Sequence, residues 1–292
     1  MPFPYKVCPL CQKEFKYRTT VRHTHFDARL NALKCPCGSW IAYAEDERLL
    51  KMDFSTYSYD REEAWIMSYA TRLSYERLVK SLGKFRQTNR WLDVGCGAGH
   101  LMEVVKSANW EVVGTELSTV AVRRLQEKGY TVYNALLKDL PEPRQSFDIV
   151  TLIEVLEHVP EPIHLLTEVR EFLRPGGCLY MTTPNANSLT VLLKGIEEVL
   201  RPPDHLWIWS PHALRKLLSH MGFRPLKIWT DSLNPYKLIS RPGKKCNCLE
   251  QTERLRDISS KKPLFIWLKK ISNFFLSAAS VGETLKVIAI KQ

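Results

Sequence analysis

Residues 91–99 read Trp91-Leu-Asp-Val-Gly-Cys-Gly-Ala-Gly99 and decide the fold. A short apolar run leads into three glycines at alternating positions, and a helix-like stretch begins at His100. Glycine lets the backbone approach a ligand closely, and a turn between a strand and a helix N-terminus is suited to bind one. The spacing is not the dinucleotide pattern G-x-G-x-x-G, because the third glycine comes one residue early, and this disfavours NAD.

A carboxylate follows the glycine turn where a ribose contact is expected. Glu111-Val-Val-Gly-Thr115 has the composition of a second strand, and Glu116 stands at its end, 17 residues beyond Gly99. In folds of this type that position meets a ribose, whose two hydroxyls donate hydrogen bonds to a carboxylate. The glycine turn and Glu116 together predict a site for a nucleoside-containing ligand.

Strand and helix patterns alternate along the rest of this region. The continuous apolar run from Phe147 to Ile153 is typical of a buried parallel strand. Such alternation predicts an α/β fold with a doubly wound sheet. Strands are predicted at residues 91–94, 111–115, 131–133, 147–153 and 178–182, and helices at 100–107, 119–128 and 162–173.

Four cysteines near the N-terminus have the pattern of a metal site. Cys8-Pro-Leu-Cys11 is a C-x2-C pair, and Cys35-Pro-Cys37 is a C-x-C pair that follows after 23 residues. Four thiolates from two turns can close a tetrahedral structural zinc site, which replaces the core that a segment of about 40 residues cannot build. His23 or His25, between the pairs, can supply a ligand instead. The alternative is two unrelated loops with reduced cysteines.

Composition and charge narrow the class of protein. Apolar residues make up 45% of the chain and charged residues 25%, which excludes wholesale disorder. We expect no transmembrane helix and no secretory signal, so the cytoplasm is the expected location. The net charge of +11 resides at the two ends, since residues 236–292 carry 12 basic against four acidic side chains and residues 1–44 carry seven against two. Basic ends can attract phosphates, nucleic acid or an anionic membrane; charge that only keeps the protein in solution is the alternative.

Five motifs follow one another between residues 89 and 177: Asp93-Val-Gly-Cys-Gly-Ala-Gly99, Glu116, Ser146-Phe-Asp-Ile-Val150, Glu154-Val-Leu-Glu-His158 and Leu173-Arg-Pro-Gly-Gly177. They resemble the motifs of class I S-adenosylmethionine-dependent methyltransferases, most closely those of the ubiquinone-biosynthesis O-methyltransferase-like group with an N-terminal zinc-ribbon-like segment. The resemblance implies a seven-stranded Rossmann-like sheet with its last strand antiparallel, S-adenosylmethionine as cofactor and methyl transfer as the activity.

The resemblance also divides the chain. It implies a zinc-ribbon-like module at 1–44, a helical connector at 45–88 and a methyltransferase domain at 89–292. The sixth strand is expected at 223–229 and the seventh, antiparallel, at 282–290. Residues 236–281 then form an insertion between two paired strands.

Cofactor contacts follow residue by residue from the resemblance. The contacts are Asp93, Gly95, Gly97 and Gly99 around the methionine part, Glu116 at the ribose, Leu117 against the adenine, and Ile153 and Glu154 beside the methionine moiety. The family often places an acidic residue before the fourth strand to read the adenine amine. Asp139 is the candidate for that role here.

Two histidines are the candidate catalytic residues. His158 ends the fourth-strand motif, at the sheet edge where ligands bind in such folds, and His205 lies in the acceptor-side segment Asp204-His-Leu-Trp-Ile-Trp-Ser210. Histidine can take a proton from an acceptor hydroxyl near neutral pH; orienting the loop is the alternative role for His158. In the ubiquinone-type relatives the E-x-x-E-H pattern resembles a divalent-metal site. Glu154, Glu157 and His158 are therefore candidate Mg²⁺ ligands, and the alternative is that they only shape a turn.

The sequence leaves two acceptor classes open. The first is a hydroxyl of a small molecule, a sugar or a lipid-linked glycan, with Thr183, Asn185 and Trp209 as candidate acceptor-side residues. The second is an RNA base, because some ribosomal RNA guanine methyltransferases join a similar zinc module to this fold and basic ends suit phosphates. The Asn-Pro-Pro-aromatic signature of exocyclic-amine methylation does not follow the fourth strand, which favours the first class.

The insertion has a pattern of its own. Between Leu264 and Ala278, apolar residues recur at helical spacing, with lysine pairs at 261–262 and 269–270. A basic amphipathic helix of this kind can lie on a membrane surface, so residues 261–279 are a candidate peripheral membrane contact. Packing against the domain itself or against a second subunit is the alternative.

Overall fold

The computed structural model describes residues 7–56, 62–231 and 278–292. The strands in these ranges are β1 (Lys16–Arg22), β2 (Arg29–Lys34), β3 (Trp40–Tyr43), β4 (Arg90–Val94), β5 (Glu111–Thr115), β6 (Thr131–Tyr133), β7 (Phe147–Ile153), β8 (Leu173–Pro184), β9 (Trp207–Ile208), β10 (Phe223–Asp231) and β11 (Thr284–Lys291). The α-helices are α1 (Tyr69–Leu82), α2 (His100–Ser107), α3 (Thr119–Glu127), α4 (Pro162–Phe172), α5 (Leu189–Lys194) and α6 (Pro211–His220).

The larger of two sheets has seven strands in the order β10-β11-β8-β7-β4-β5-β6. Strands β4 to β8 are mutually parallel, whereas β11 runs antiparallel to both of its neighbours. The predicted doubly wound sheet with an antiparallel last strand is therefore confirmed. From β4 the chain continues to β5 and β6 on one side of the sheet, and from β7 it continues to β8 on the other side. The order therefore reverses between β4 and β7, and a ligand crevice is expected at the carboxyl ends of these two strands.

Local sequence explains most of these elements. All but the last residue of β7 are buried, as its apolar run predicts. Helix α3 is capped by Ser118, whose hydroxyl accepts a hydrogen bond from the Ala121 amide. The fifth predicted strand, 178–182, extends in the structure from Leu173 to Pro184. The first residue, Leu173, pairs with Phe147. An irregularity in the strand register follows, and it accommodates the Pro-Gly-Gly sequence at 175–177, which is typical of a turn rather than of a strand.

The second sheet has four strands in the order β1-β2-β3-β9. Three come from the predicted module 1–44, but the fourth, β9, comes from the acceptor-side segment: Trp40 pairs with Ile208, and Ile41 pairs with Trp207. Side chains of the module, including Ile41, belong to the same apolar cluster as Trp207 and Leu179 of the larger sheet. The hydrophobic core is therefore continuous across residue 44, where the sequence pattern changes.

The predicted insertion 236–281 lies between β10 and β11, which pair directly. Residues 236–277 of this stretch, and with them most of the candidate membrane contact 261–279, lie outside the described residues. Within the described ranges, no helix combines the length and the apolar character that crossing a membrane requires.

A buried carboxylate fastens the amino ends of three central strands. Asp148 of β7 is fully buried, and its Oδ2 accepts hydrogen bonds from the backbone amides of residues 87, 88 and 89 at 2.8–2.9 Å, just before β4. Its Oδ1 accepts a hydrogen bond from Arg174 Nε of β8 at 2.6 Å. Burial alone would raise the pKa of Asp148, but Arg174 and the three amides outweigh it and lower the pKa.

We expect Asp148→Asn to lower the free energy of unfolding by about 3 kcal/mol, because breaking a buried ion pair leaves Arg174 without its partner. Urea unfolding at pH 7 measures the change, with the exposed Asp27→Asn as the matched control. Since the folded-state pKa is lowered, the stabilisation is present above about pH 4 and is lost as the pH falls through the folded value. Equal unfolding midpoints for the two variants at pH 7 would contradict this role.

Candidate cofactor and acceptor site

A cavity of about 410 Å³ opens at the carboxyl ends of β4 and β7, where the strand order reverses. It brings together residues from both halves of the sheet, from the connector and from the acceptor-side segment. The predicted site residues that line it are Asp93, Gly95, Gly97, Glu116, Leu117, Ile153, Glu154 and His158.

The glycine turn is built from residues with positive φ. Gly95 has a φ of +68° and Gly97 one of +54°, a region that side-chain-bearing residues rarely adopt. A Cβ on Gly95 would also lie 2.8 Å from Val155 Cγ2. Gly99, also predicted as a cofactor contact, does not line the cavity, and a Cβ there would lie 2.5 Å from Leu125 Cδ2 of α3. The third glycine therefore allows close packing of helices behind the turn.

The carboxylate of Glu116 holds the glycine turn against the end of β5. Its Oε2 accepts a hydrogen bond from the Gly97 amide at 2.9 Å, and its Oε1 accepts from the amides of Leu117 and Ser118, each at 2.8 Å. Backbone donors on both sides fix its position at the cavity wall. A ligand hydroxyl that reaches this wall meets a carboxylate that is already oriented.

Negative side chains line the cofactor half of the cavity. Asp93 is buried and accepts a hydrogen bond from Thr151 Oγ1 at 2.6 Å. Burial and, to a smaller extent, the charge of Glu116 together raise the pKa of Asp93 to about 7, against the effect of the Thr151 hydrogen bond. Among the described residues, no lysine or arginine lines the cavity. The local field therefore favours a cation over an anion.

Asp139 is not brought to the cavity, contrary to the expectation. It ends a short 3₁₀-helix, Leu137–Asp139, and its side chain is exposed. Ala135, Leu136 and Leu137 line the wall beside Leu117 instead. This wall is apolar, which suits a flat ring that is held by packing.

The acceptor half of the cavity is lined by His158. Its Nδ1 lies 2.6 Å from the carbonyl oxygen of Asp204 and 3.3 Å from Asp204 Oδ1. Because a carbonyl oxygen only accepts, Nδ1 carries the proton in the neutral ring and Nε2 carries the lone pair. Burial would lower the pKa of His158, but the hydrogen bond with Asp204 and the charge of that carboxylate outweigh burial and raise the pKa.

His205 lies behind His158 and does not line the cavity. The two imidazole rings are 4.9 Å apart. Its Nδ1 donates a hydrogen bond to the carbonyl oxygen of Val199 at 2.6 Å. Burial lowers the pKa of His205 to about 4, so this ring is neutral at neutral pH.

Glu157 is a fully buried carboxyl group beside these rings. Its Oε2 accepts a hydrogen bond from Thr183 Oγ1 at 2.9 Å, while its Oε1 has no hydrogen-bond partner among the described residues and lies 3.9 Å from His158 Nε2. Burial, followed by the charge of Glu154, raises the pKa of Glu157. A buried carboxyl group and two imidazoles therefore occupy this corner of the site.

The donor atoms that approach one another here differ from the predicted Mg²⁺ set. Ligand atoms of Glu157, His158 and His205 lie within 4.8 Å of one another, whereas Glu154 Oε1 accepts a hydrogen bond from Thr182. Mg²⁺ prefers oxygen ligands in octahedral geometry, and two imidazoles with one carboxyl do not supply them. The predicted trio of Glu154, Glu157 and His158 is therefore not brought together as one set of ligand atoms among the described residues.

The three candidate acceptor-side residues are buried and do not line the cavity. Thr183 bonds Glu157, as described above. Asn185 Nδ2 donates hydrogen bonds to the carbonyl oxygens of Ser280 and Gly282 at 3.0 and 2.7 Å. Trp209 stacks on Trp207 with ring centroids 4.8 Å apart. These three residues pack behind the residues that line the cavity and do not contact the cavity themselves.

More than half of the residues that line the cavity were not predicted from the sequence, and three of them are Phe54, Tyr75 and Asp204. Phe54 comes from the connector and contacts the His158 ring edge-to-face at 5.6 Å. Tyr75 of α1 and Asp204 also line the cavity. Aromatic residues in a connector carry no distinctive pattern, but Asp204 stands beside His205 in a segment already singled out.

The four cysteines form one cluster, with all sulfur atoms within 4.8 Å of one another. The Sγ atoms of Cys8 and Cys37 are 3.7 Å apart, and those of Cys11 and Cys35 are 3.2 Å apart. Zn–S bonds of about 2.3 Å place the sulfurs of a tetrahedral site roughly 3.8 Å apart, so the cluster fits zinc. The hydrogen bond from Cys8 lowers the pKa of Cys37 to about 4, against burial and with help from Ser39.

The histidine alternative for this cluster is not supported. Both ring nitrogens of His23 are engaged elsewhere: Nδ1 accepts from the amides of His25 and Phe26, and Nε2 lies 3.0 Å from the Leu49 carbonyl oxygen. His25 is exposed. The cluster that can hold zinc consists of the four cysteines.

Comparison with known proteins matches this architecture. Residues 57–228 match the family model described as "Methyltransferase domain". The ubiquinone biosynthesis O-methyltransferase of Cereibacter sphaeroides (strain ATCC 17025) is 35% identical over 150 residues, which cover 47% of this chain and 61% of that protein. The protein of the same name from Dinoroseobacter shibae is 32% identical over 176 residues, covering 55% of this chain and 71% of that protein.

Solved structures share the fold. A SAM-dependent methyltransferase from Archaeoglobus fulgidus aligns with a TM-score of 0.52 and 21% identity, covering 75% of this chain and 93% of that one. A geranyl diphosphate methyltransferase in complex with SAM aligns with a TM-score of 0.51 and 16% identity, covering 76% and 86% of the two chains. Since the family model spans more than half of the sequence, this chain belongs to the methyltransferase-domain family.

Proposed function

We propose that the protein is an S-adenosylmethionine-dependent O-methyltransferase that acts on a hydroxyl of an uncharged small molecule. The observation that carries the proposal is one cavity with two halves: a glycine turn with Glu116 on one side, and His158 with its Nε2 lone pair on the other. The Cereibacter relative is named as an O-methyltransferase, which supports oxygen as the acceptor atom. This chain covers 61% of that relative's length, so the acceptor is argued from the cavity.

The cofactor half suits S-adenosylmethionine. Its ribose would meet Glu116, its adenine would lie against Leu117 and the apolar wall at Leu136, and its cationic methionine part would lie near Asp93 and Glu154. When bound, S-adenosylmethionine supplies a methyl group on a sulfonium, which an acceptor oxygen takes by in-line displacement. The acidic lining complements the positive charge of this ligand.

The acceptor half suits an uncharged hydroxyl compound. Asp204 and Glu154 line the cavity without a lysine or arginine from the described residues, so an anionic group would be repelled. Phe54 and Val159 provide apolar contacts for a flat or aliphatic acceptor. These observations favour a neutral small molecule over an RNA phosphate chain, and equally over a charged glycan headgroup.

His158 is the proposed catalytic residue. With Nδ1–H bonded to the Asp204 carbonyl, Nε2 can accept the proton that the acceptor hydroxyl loses as its oxygen bonds the methyl carbon. The carboxylate of Asp204, 3.3 Å from Nδ1, stabilises the imidazolium that results. His205, buried and neutral, supports the ring of His158 from behind.

The first experiment on the proposal traces methyl-labelled S-adenosylmethionine into a fractionated extract. We expect label in the neutral small-molecule fraction, because no cation lines the cavity within the described residues. Label in RNA alone would contradict the proposal and recast the module as an RNA-binding element.

We expect Glu116→Ala to weaken S-adenosylmethionine binding by about 10- to 100-fold, since hydrogen bonds to a charged group contribute on the order of 1.5–3 kcal/mol. Isothermal calorimetry measures the Kd. Asp139→Ala is the comparison variant and should leave the Kd within about twofold, because Asp139 is exposed outside the cavity. Equal weakening by both would overturn the assignment of the ribose contact.

We expect His158→Asn to lower kcat by about 10²- to 10⁴-fold, the usual contribution of a general base, while the S-adenosylmethionine Kd is retained. The assay uses the acceptor fraction that takes label. His164→Asn, an exposed histidine on α4, is the control and should keep full activity. Loss of cofactor binding together with kcat would show that His158 is structural.

We further propose that the cysteine cluster binds one structural Zn²⁺. Elemental analysis of the purified protein should give about one equivalent, because four thiolates in this arrangement complete the coordination. Cys11→Ser should reduce the zinc content and the unfolding temperature. Cys178→Ser, at a buried cysteine of β8 outside the cluster, should retain the zinc. Zinc content that is independent of Cys11 would refute the site.

A further inference from the structure

The second cysteine turn contacts the start of α6. Ser210, the N-cap of α6, donates a hydrogen bond from Oγ to the carbonyl oxygen of Cys37 at 3.3 Å. Gly38 follows Cys37 with a φ of +93°, and a Cβ on it would lie 2.5 Å from Ser210 Oγ. The two segments therefore meet without space for a methyl group between them.

Backbone pairing extends this contact along residues 206–208. Strand β3 pairs with β9, and beyond the paired residues the Ala42 amide donates to the Leu206 carbonyl oxygen at 2.9 Å. The β9 residue Trp207 is fully buried, and its ring is 6.2 Å from Phe15 of the module. One side of this short segment is thus held entirely by the cysteine module.

The other side of the same segment contacts the histidine turn, which comprises residues 154–158 and follows β7. The amides of Leu206 and Trp207 donate to the carbonyl oxygen of Glu157 at 2.8 and 3.1 Å. The carbonyl oxygen of Asp204, two residues earlier, accepts the hydrogen bond that orients the ring of His158. Residues 204–208 therefore connect the module to both histidine rings.

The cofactor half is held by different contacts. The amides of Gly95 and Cys96 donate to the carbonyl oxygen of Thr115 at 2.8 and 3.0 Å, and Glu116 bonds the Gly97 amide. These bonds lie within the parallel sheet and its first turn. A displacement of residues 204–208 can therefore alter the histidine rings and leave the cofactor wall in place.

We propose that the cysteine module is a positioning element for the acceptor half of the site: through Cys37, Gly38 and β3 it fixes residues 204–210 and, with them, the orientation of His158 and His205. The inference rests on the proposed function in taking these rings to face the acceptor. It assigns the module a role inside the enzyme that needs no nucleic acid.

The test compares two glycine variants of the full chain. Gly38→Ala places a methyl group against Ser210, whereas Gly129→Ala imposes a similar backbone strain, at a φ of +75°, with no atom within 4 Å of the new Cβ. Amide hydrogen exchange is followed by mass spectrometry, the imidazole resonances of His158 and His205 by NMR, and S-adenosylmethionine binding by calorimetry. All four cysteines and both histidines remain in both variants.

We expect Gly38→Ala to speed exchange at residues 202–210 by about tenfold or more and to shift both imidazole resonances, because opening this segment then requires less free energy. Exchange at residues 91–117 and the S-adenosylmethionine Kd should change by less than about twofold. Gly129→Ala should resemble the wild type in all three measurements.

Two results would overturn the proposal. Unchanged exchange and resonances in Gly38→Ala would show that the module does not fix the segment, and faster exchange across the whole chain with loss of cofactor binding would show only a general loss of stability. Should Gly38→Ala not fold, removal and return of Zn²⁺ in the wild type gives the same readouts. If S-adenosylmethionine does not bind the wild type, the proposed function fails, while the exchange and NMR data still decide the positioning role.

Discussion

The structure depends on one buried carboxylate, Asp148, at the amino ends of the central strands. Through four hydrogen bonds it joins its own strand, β7, to the backbone before β4 and to Arg174 near the start of β8. A charge at this depth is stable only because every bond it needs is made. Because β4 and β7 pair in a fixed register, anchoring their amino ends also aligns the turns that follow their carboxyl ends: the glycine turn after β4 and the histidine turn, residues 154–158, after β7.

The site divides into two halves that are held in physically different ways. The cofactor half is made by backbone: glycines with positive φ, and amides that orient Glu116. The acceptor half is made by side chains packed between separate elements, with His158 between Phe54, Asp204 and His205. The first arrangement is a property of one short sequence, while the second exists only after the chain has folded.

This difference explains what the sequence could predict. The parallel strands, the glycine turn and Glu116 follow from local patterns, because each lies within one strand–turn–helix unit. The antiparallel last strand, which pairs with β8 and β10 from far along the chain, was expected only from the resemblance to the methyltransferase family. Asp139 lies outside the cavity because a single 3₁₀ turn exposes it, and nothing in the neighbouring sequence predicts that turn. The positions of Phe54 and His205 could not be foreseen, since both depend on contacts with His158, which is 104 positions from Phe54 and 47 from His205 in the chain.

Strand β9 supplies the fourth strand of the module's sheet, although it lies more than 160 positions after β3. A module that can be exchanged between proteins must contain all strands of its own sheet, and this module lacks the fourth strand. Transfer of residues 1–44 to another methyltransferase would expose the free side of β3, and their deletion here would uncover β9 and two stacked indoles. A substitution on either face of the β3–β9 contact therefore requires a matching change on the other, so the cysteine module and the acceptor-side segment have to be varied together.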